Sequence, residues 1–249
     1  VISLALLADI HGNLPALEAV LDHLSSRSVE GVYHLGDLVG YGPWPEEVVA
    51  RIRAEGIPGI AGNYDSTVAT GHEHCGCRYE DPRQEALSHA SYGWTRERIG
   101  KPTASWLRAL PFRLDLRPEG GHAPGPSVIL VHGTPTLNTV YWHHERSPGF
   151  AETMIGRGGA RPGDVVAFGH THRPWTREVQ GVRLVNAGSV GRPKDGDPRA
   201  CYVRLRRRDE AWEVEFVRVE YDVERAAETI LRSELPDELA TILRTGGSL

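Results

Sequence analysis

Residues 2–8 read ISLALLA, a continuous apolar run that suits one buried strand, and it stops at Asp9-Ile10-His11-Gly12. The same event recurs along the chain. VYHLGD (32–37) closes on Gly36-Asp37, and IPGIAGN (57–63) closes on Gly62-Asn63. VILV (128–131) runs into His132-Gly133, and VVAF (165–168) into Gly169-His170-Thr171-His172. Short continuous apolar runs are typical of strands covered on both faces. A chain that ends five of them on carboxylate, amide or imidazole beside a small residue has few folds open to it.

Helical patterns separate the first runs. Leu17, Val20, Leu21 and Leu24 fall at i, i+3, i+4 and i+7 within 16–24. PWPEEVVARIRAEG (43–56) opens with acids and closes on glycine, as helices do. The alternation predicts an α/β arrangement with parallel strands, whose carboxyl ends gather at one edge where ligand sites form. Helices are also expected over 83–99, 102–111 and 222–233, a flexible turn over 118–127, and a strand at 182–186. Residues 200–206 and 212–219 read as a hairpin. Trp212, Val214 and Phe216 share a phase that Val217 and Val219 break, which predicts a bulge. No linker divides the strand-rich halves, so residues 1–249 are expected to form a single domain.

The polar residues at the strand ends are Asp9, His11, Asp37, Asn63, His132, His170 and His172. Two carboxylates, one amide oxygen and four imidazoles suit borderline divalent metals such as Mn²⁺, Fe²⁺ or Zn²⁺. Seven side chains exceed the needs of one ion, whereas two ions about 3.5–4 Å apart and sharing a carboxylate would use them all. Asp-x-His spacing lets Asp9 and His11 point the same way from an extended segment, and His170 and His172 repeat it. Alone, each has a plainer reading: a cap or turn for Asp9, Asp37 or Asn63, a hydrogen-bonding core residue for His132. Their shared position at the end of an apolar run favours the metal.

Bulk properties narrow the partners. The formal charge, 28 basic against 33 acidic residues, is −5 and gives no support for a protein coated in nucleic acid. The basic run RLRRR (204–208) reads as an exposed hairpin instead. Three cysteines point to a reducing compartment. The first apolar run lacks a basic leader and meets Asp9 early, so neither signal peptide nor membrane span is expected, and a cytoplasmic location is.

The order DxH, GD, GN, H, GHxH, here Asp9-Ile10-His11, Gly36-Asp37, Gly62-Asn63, His132-Gly133 and Gly169-His170-Thr171-His172, resembles the calcineurin-like metallophosphoesterase superfamily. By size and its GNYD segment the chain looks closest to the small bacterial and archaeal phosphodiesterase-like branch. The resemblance implies a four-layer α-β-β-α sandwich of two mixed β-sheets flanked by helices. It implies that Asp9, His11, Asp37 and His172 hold one metal, and that Asp37, Asn63, His132 and His170 hold the other, with Asp37 bridging. It implies a metal-dependent phosphoric ester hydrolase in which hydroxide generated between the ions attacks phosphorus. Manganese, iron and zinc are the candidate cofactors.

One departure bears on substrate. Much of the superfamily has a histidine after the GN pair, followed by an acidic residue; this chain has Tyr64 and then Asp65. Tyr64 and Asp65 join Asp37, Asn63 and His132 as candidate catalytic residues. A tyrosine, with a reference pKa of about 10, is a poor proton donor at pH 7, although its hydroxyl can hydrogen-bond or its ring can simply pack. A weak donor favours good leaving groups, hence phosphate diesters of aryl or nucleotide type and a small phosphorylated substrate. The alternatives are a phosphomonoesterase, including a protein or nucleotide phosphatase, and a non-catalytic scaffold of the same fold. The oligomeric state is open, and a dimer is allowed.

Several residues lie outside these motifs. His72, His74, Cys75 and Cys77 crowd into six positions, as a third metal site, a loop bordering the substrate, or a redox-responsive thiol pair. His34 is expected to be packed inside its strand. In NAGSVGRPKDG (186–196), Asn186 and Ser189 are expected to brace the loop, while Arg192 and Lys194 read as solvated charges, with contact to a phosphate as the alternative. Residues 143–146 form a polar patch, and Trp142 is either a packing residue or a stacking platform for a base.

Overall fold

The structure, a computed structural model, describes residues 2–79, 81–117, 125–208 and 211–247. The chain opens with β1 (Ile2–Leu7), α1 (Leu14–Ser25), β2 (Gly31–His34) and α2 (Pro45–Ala54). Three more helices follow, α3 (Asn63–Thr70), α4 (Pro82–Arg98) and α5 (Lys101–Arg108), then β3 (Leu114–Leu116), β4 (Val128–Leu130) and α6 (Pro148–Gly158). Next come β5 (Val165–Phe168), β6 (Trp175–Val179), β7 (Val182–Asn186), β8 (Ala200–Arg208) and β9 (Ala211–Val219). The described chain closes with α7 (Val223–Leu231) and α8 (Glu238–Thr245).

These strands form two mixed sheets, ordered β2-β1-β8-β9 and β3-β4-β5-β7-β6. Strand β1 pairs in parallel with β2 and antiparallel with β8, while β4, β5 and β7 run parallel to one another. The period-two alternation of side chains sorts each strand between layers. Leu4 and Leu6 of β1, with Val203 and Leu205 of β8, meet Val128 and Leu130 of β4 and Val165 and Ala167 of β5 in one core between the sheets. The opposite faces turn outward. Ala5 and Leu7 pack with Leu17 and Val20 of α1 and Ala226 and Ile230 of α7. Ile129, Val166 and Phe168 pack with Ala151, Met154 and Ile155 of α6. The result is an α-β-β-α sandwich, and it explains why the short strands lack alternating polarity.

Two local expectations are corrected, and one open alternative is resolved. Residues 57–63 are not a strand. A single bridge joins His34 to Gly59, and the chain turns into α3 at Asn63, with Gly62 as an extended N-cap. The hairpin of β8 and β9 has no bulge, since its register runs unbroken from Ala200↔Val219 to Arg208↔Ala211. The phase break at Val217 arises because β9 is covered on both faces: Trp212, Val214 and Phe216 face the other sheet, and Val217 and Val219 face the helices. Trp142 is fully buried, stacked at 4.7 Å on Phe168, and so is a core residue rather than a base platform. Of the turn expected over 118–127, residues 118–124 lie outside the described residues.

The basic run on β8 is neutralised across the hairpin, where Arg204 pairs with Glu215 and Arg208 with Glu213. No helix among the described residues is long and apolar enough to cross a membrane.

Candidate metal centre

The sandwich brings the carboxyl ends of β1 and β2 in one sheet against those of β4 and β5 in the other. Beyond β1 and β2 the two loops continue side by side, with Asp9 N–H donating to Gly36 O, His11 N–H to Asp37 O, and Gly12 N–H to Leu38 O. The loop after β7 is stitched to the same place. Ser189 Oγ donates to Asp9 O at 2.7 Å and accepts from Arg192 N–H, and Asn186 Nδ2 donates to Gly169 O and to Thr171 Oγ1. Both residues brace the loop as the sequence led us to expect.

All seven candidate ligands are at most 3% exposed. Their backbone is not extended, as the Asp-x-His spacing had suggested. Asp9, His11, Asp37, His170 and His172 have φ between +49° and +67°, and they make up five of the seven described non-glycine residues with positive φ. Asp, Asn and His tolerate this region better than most residues, yet each instance costs energy that the surrounding hydrogen bonds must offset. Left-handed turns here aim successive side chains inward at the strand ends. Two glycines allow the closest approaches: a Cβ on Gly62 would overlap Asp37 Oδ1, and one on Gly169 would overlap Asp9 Oδ2.

The ligand atoms form two groups, Asp9, His11 and His172 in one and Asp37, His132 and His170 in the other, each with its atoms within 4.8 Å of one another. Asp37 Oδ2 lies 3.6 Å from His11 Nε2 and 3.4 Å from His132 Nε2, so a single carboxylate oxygen faces both groups. Asn63 Oδ1 is 3.0 Å from His132 Nε2, on the second group's side. Backbone carbonyls fix three of the rings through Nδ1: Val39 O for His11 at 2.9 Å, Leu35 O for His132 at 2.7 Å and Arg192 O for His172 at 2.6 Å. A ring that donates from Nδ1 presents Nε2 as a lone pair, the arrangement used by metal-binding histidines.

The donor set fits cations. His11 Nε2 and His172 Nε2 face each other at 3.2 Å, which brings two lone pairs into opposition unless positive charge sits between them. Asp9 Oδ1 and His170 Nε2 are buried and make no hydrogen bond. Burial pushes the Asp9 carboxyl up to about 8, so without a cation it holds a proton. Burial also opposes charge on His132, but Asp37 carries that imidazole up to about 9. Burial likewise works against the Asp37 charge, yet His132 more than offsets it and takes the carboxyl down to about 2. Burial lowers His11 to about 4 and His170 to about 3, which keeps both neutral and free to ligate at pH 7.

The residues after Asn63 serve the frame. The Tyr64 ring packs edge-on to His11 at 5.4 Å, and its hydroxyl hydrogen-bonds Ser88 Oγ at 2.7 Å. Tyr64 N–H donates to Asp37 Oδ1 at 2.9 Å. Asp65 accepts from Gly62 N–H at 3.0 Å and from Leu38 N–H at 2.9 Å, tying the Asp37 loop to the start of α3. Asn63 Nδ2 donates to Cys75 O and Cys77 Sγ, both at 3.1 Å, which leaves its oxygen turned to His132. His72 and His74 are exposed and bond locally, to Thr70 Oγ1 and Gly76 N–H.

Two residues that the sequence reading passed over also belong here. Tyr141 stacks on His170 with ring centres 4.3 Å apart and planes 13° apart. Arg173, directly after His172, donates from Nε to Lys194 O at 2.9 Å. Arg173 had a signal in its adjacency to the GHTH motif; Tyr141 had none.

Comparison with known proteins agrees with this arrangement. A family model described as the calcineurin-like phosphoesterase superfamily domain matches residues 2–210. An uncharacterized protein of Methanocaldococcus jannaschii is 30% identical over 264 residues, covering 98% of each chain. The phosphodiesterase YfcE of Escherichia coli is 26% identical over 201 residues, 77% of this chain and 80% of its own. The crystal structure of a metallophosphoesterase from Sphaerobacter thermophilus superposes with a TM-score of 0.74 at 28% identity, covering 98% of this chain and 99% of that one. With the family model covering β1 to β8 and every motif that ends on a candidate ligand, this chain belongs to the calcineurin-like phosphoesterase superfamily.

Proposed function

We propose that the chain is a dinuclear-metal phosphodiesterase, with Asp9, His11, Asp37 and His172 holding one ion, Asp37, Asn63, His132 and His170 the other, and Asp37 bridging. The observation that carries this reading is the single Asp37 oxygen poised between His11 and His132 at the junction of two buried triads. Mn²⁺, Fe²⁺ and Zn²⁺ suit the mixed imidazole and carboxylate donors. Such ions supply Lewis acidity toward phosphate oxygens and a nucleophilic water near neutral pH.

The chain's own residues set the rest. The carbonyls of Val39, Leu35 and Arg192 hold the Nδ1 protons, so three rings keep Nε2 pointed inward. Tyr64 N–H and the close approach of Gly62 fix the Asp37 carboxylate. Asp65 acts by bracing Gly62 and Leu38 rather than by moving a proton. With its hydroxyl spent on Ser88 and its acidity suppressed by burial, Tyr64 donates no proton to a departing oxygen. That supports substrates whose leaving group departs unaided, hence diesters with good leaving groups over alkyl monoesters. The free thiols of Cys75, Cys77 and Cys201 support a reducing compartment.

The test compares bis(p-nitrophenyl) phosphate with p-nitrophenyl phosphate, in the presence of Mn²⁺, Fe²⁺ or Zn²⁺ and again after chelation. A diester rate well above the monoester rate, lost on chelation, is expected. A faster monoester overturns the diesterase assignment, and no turnover of either makes the chain a scaffold.

A further inference from the structure

A groove of about 790 Å³ opens beside the metal centre. Its inner end is built from the centre itself, since Thr171 lies between His170 and His172, and Tyr141 is stacked on His170. From there its wall runs along Tyr141 and His143, whose rings are parallel within 15°. Pockets of roughly 300–1,000 Å³ hold whole small molecules, so this groove has room well beyond one phosphate group.

Its charge runs against that of the chain. Arg78, Arg146, Arg173 and Lys194 line the groove, with Asp81 the one carboxylate among the described lining residues, in a protein of formal charge −5. Asp81 is occupied as the N-cap of α4, accepting from Arg83 N–H at 2.8 Å. Among the described residues, neither the three arginines nor Lys194, whose ammonium burial pushes down to about 7, makes an ion pair with a carboxylate, whereas Arg204, Arg208, Arg232 and Arg244 are paired. Arg173 and Arg146 are instead steadied by backbone carbonyls, Lys194 O and Tyr141 O, which leave their charge uncompensated. A concave surface with clustered unpaired cations attracts and retains anions.

Resting on the diesterase reading, we infer that the groove is a subsite for a second phosphate, and that the substrates are diesters whose retained arm carries a further phosphate group beyond the scissile one. Lys194 and Arg173, next to the His172 loop, meet that group first. Arg146 and Arg78 extend the same field outward. A diester with one charge satisfies the metals alone and leaves the four cations without partners.

Two probes with the same scissile bond isolate the effect: the p-nitrophenyl ester of thymidine 5′-phosphate, and its 3′-phosphorylated counterpart. In both, water adds to phosphorus and p-nitrophenolate leaves. The 3′-phosphorylated probe is expected to have a kcat/KM about tenfold higher, one well-placed charged contact. Lys194→Met or Arg173→Met should bring the ratio toward one without changing metal content. A wild-type ratio near one, with both probes cleaved, overturns this inference and leaves the diesterase reading standing. If neither probe is cleaved, the diesterase reading fails separately, and calorimetry with Mn²⁺ present decides the subsite. Thymidine 3′,5′-bisphosphate should then bind about tenfold more tightly than thymidine 5′-monophosphate, and Lys194→Met should erase the difference. Equal binding of the two overturns it.

Discussion

His34 gives the sharpest test of how burial tunes this protein. It ends β2, is fully buried, and neither ring nitrogen makes a hydrogen bond. Its ring lies so close to Gly59 that a Cβ there would overlap it. Burial alone pushes its pKa from 6.5 to about 3. Above pH 6.5 the ring is neutral in both folded and unfolded chains and adds no pH dependence. Below 6.5 the unfolded chain binds a proton that the folded chain refuses, so stability falls by about 1.4 kcal/mol per pH unit. The total reaches about 5 kcal/mol by pH 3, a large share of the ~5–15 kcal/mol that holds a typical domain together. Urea unfolding of the metal-free protein and of His34→Phe, between pH 7.5 and 4.5, separates this residue from the site histidines, which the two proteins share. The expected outcome is a wild-type stability that falls more steeply below pH 6.5, by about 2 kcal/mol over the 1.5 units to pH 5. The phenyl ring shifts the baseline by its own packing cost but cannot titrate. Parallel curves for the two proteins would refute the argument.

Two further outcomes concern the metal centre. Asp37→Asn should lower bound metal from two ions per chain toward one or none, read by elemental analysis after dialysis; retention of two ions removes Asp37 as a bridge. Tyr64→Phe should leave the metal content unchanged and lower stability by about 0.5–1.5 kcal/mol, since Ser88 Oγ loses one hydrogen bond but keeps that from the Tyr79 hydroxyl. A collapse of diester hydrolysis in that variant at full metal occupancy would give Tyr64 a chemical role.

The candidate ligands were legible because each occupies a position that chemistry and topology both single out. Asp9, Asp37, His132 and His170 all stand within three residues of a strand end, where an apolar run can no longer hide a polar side chain. What the pattern could not carry was conformation. A period-two reading treats Asp9-Ile10-His11 as extended, whereas positive φ at both ends of that triplet depends on hydrogen bonds donated to the carbonyls of Gly36, Asp37 and Leu38. Asn63 was expected to end a strand and instead begins α3, because the strand-like stretch before it finds only one bridge to pair with. The second sheet followed from the family resemblance alone; β3 and β4 have three residues each, too short to carry a period. The orientation of the Tyr64 hydroxyl depends on Ser88 in α4, and the place of Tyr141 depends on the loop after His132 folding back over His170. Neither contact has a local signal.

Each metal-capable triad draws on both halves of the sandwich, Asp9 and His11 with His172 in one, Asp37 with His132 and His170 in the other. An ion bound in either place is therefore a rivet between two separately hydrogen-bonded layers. Neither layer, made alone, would own a complete coordination set, so loading can finish only after the layers have closed on each other. Stripping the ions should loosen this seam before it disturbs either ladder of strands.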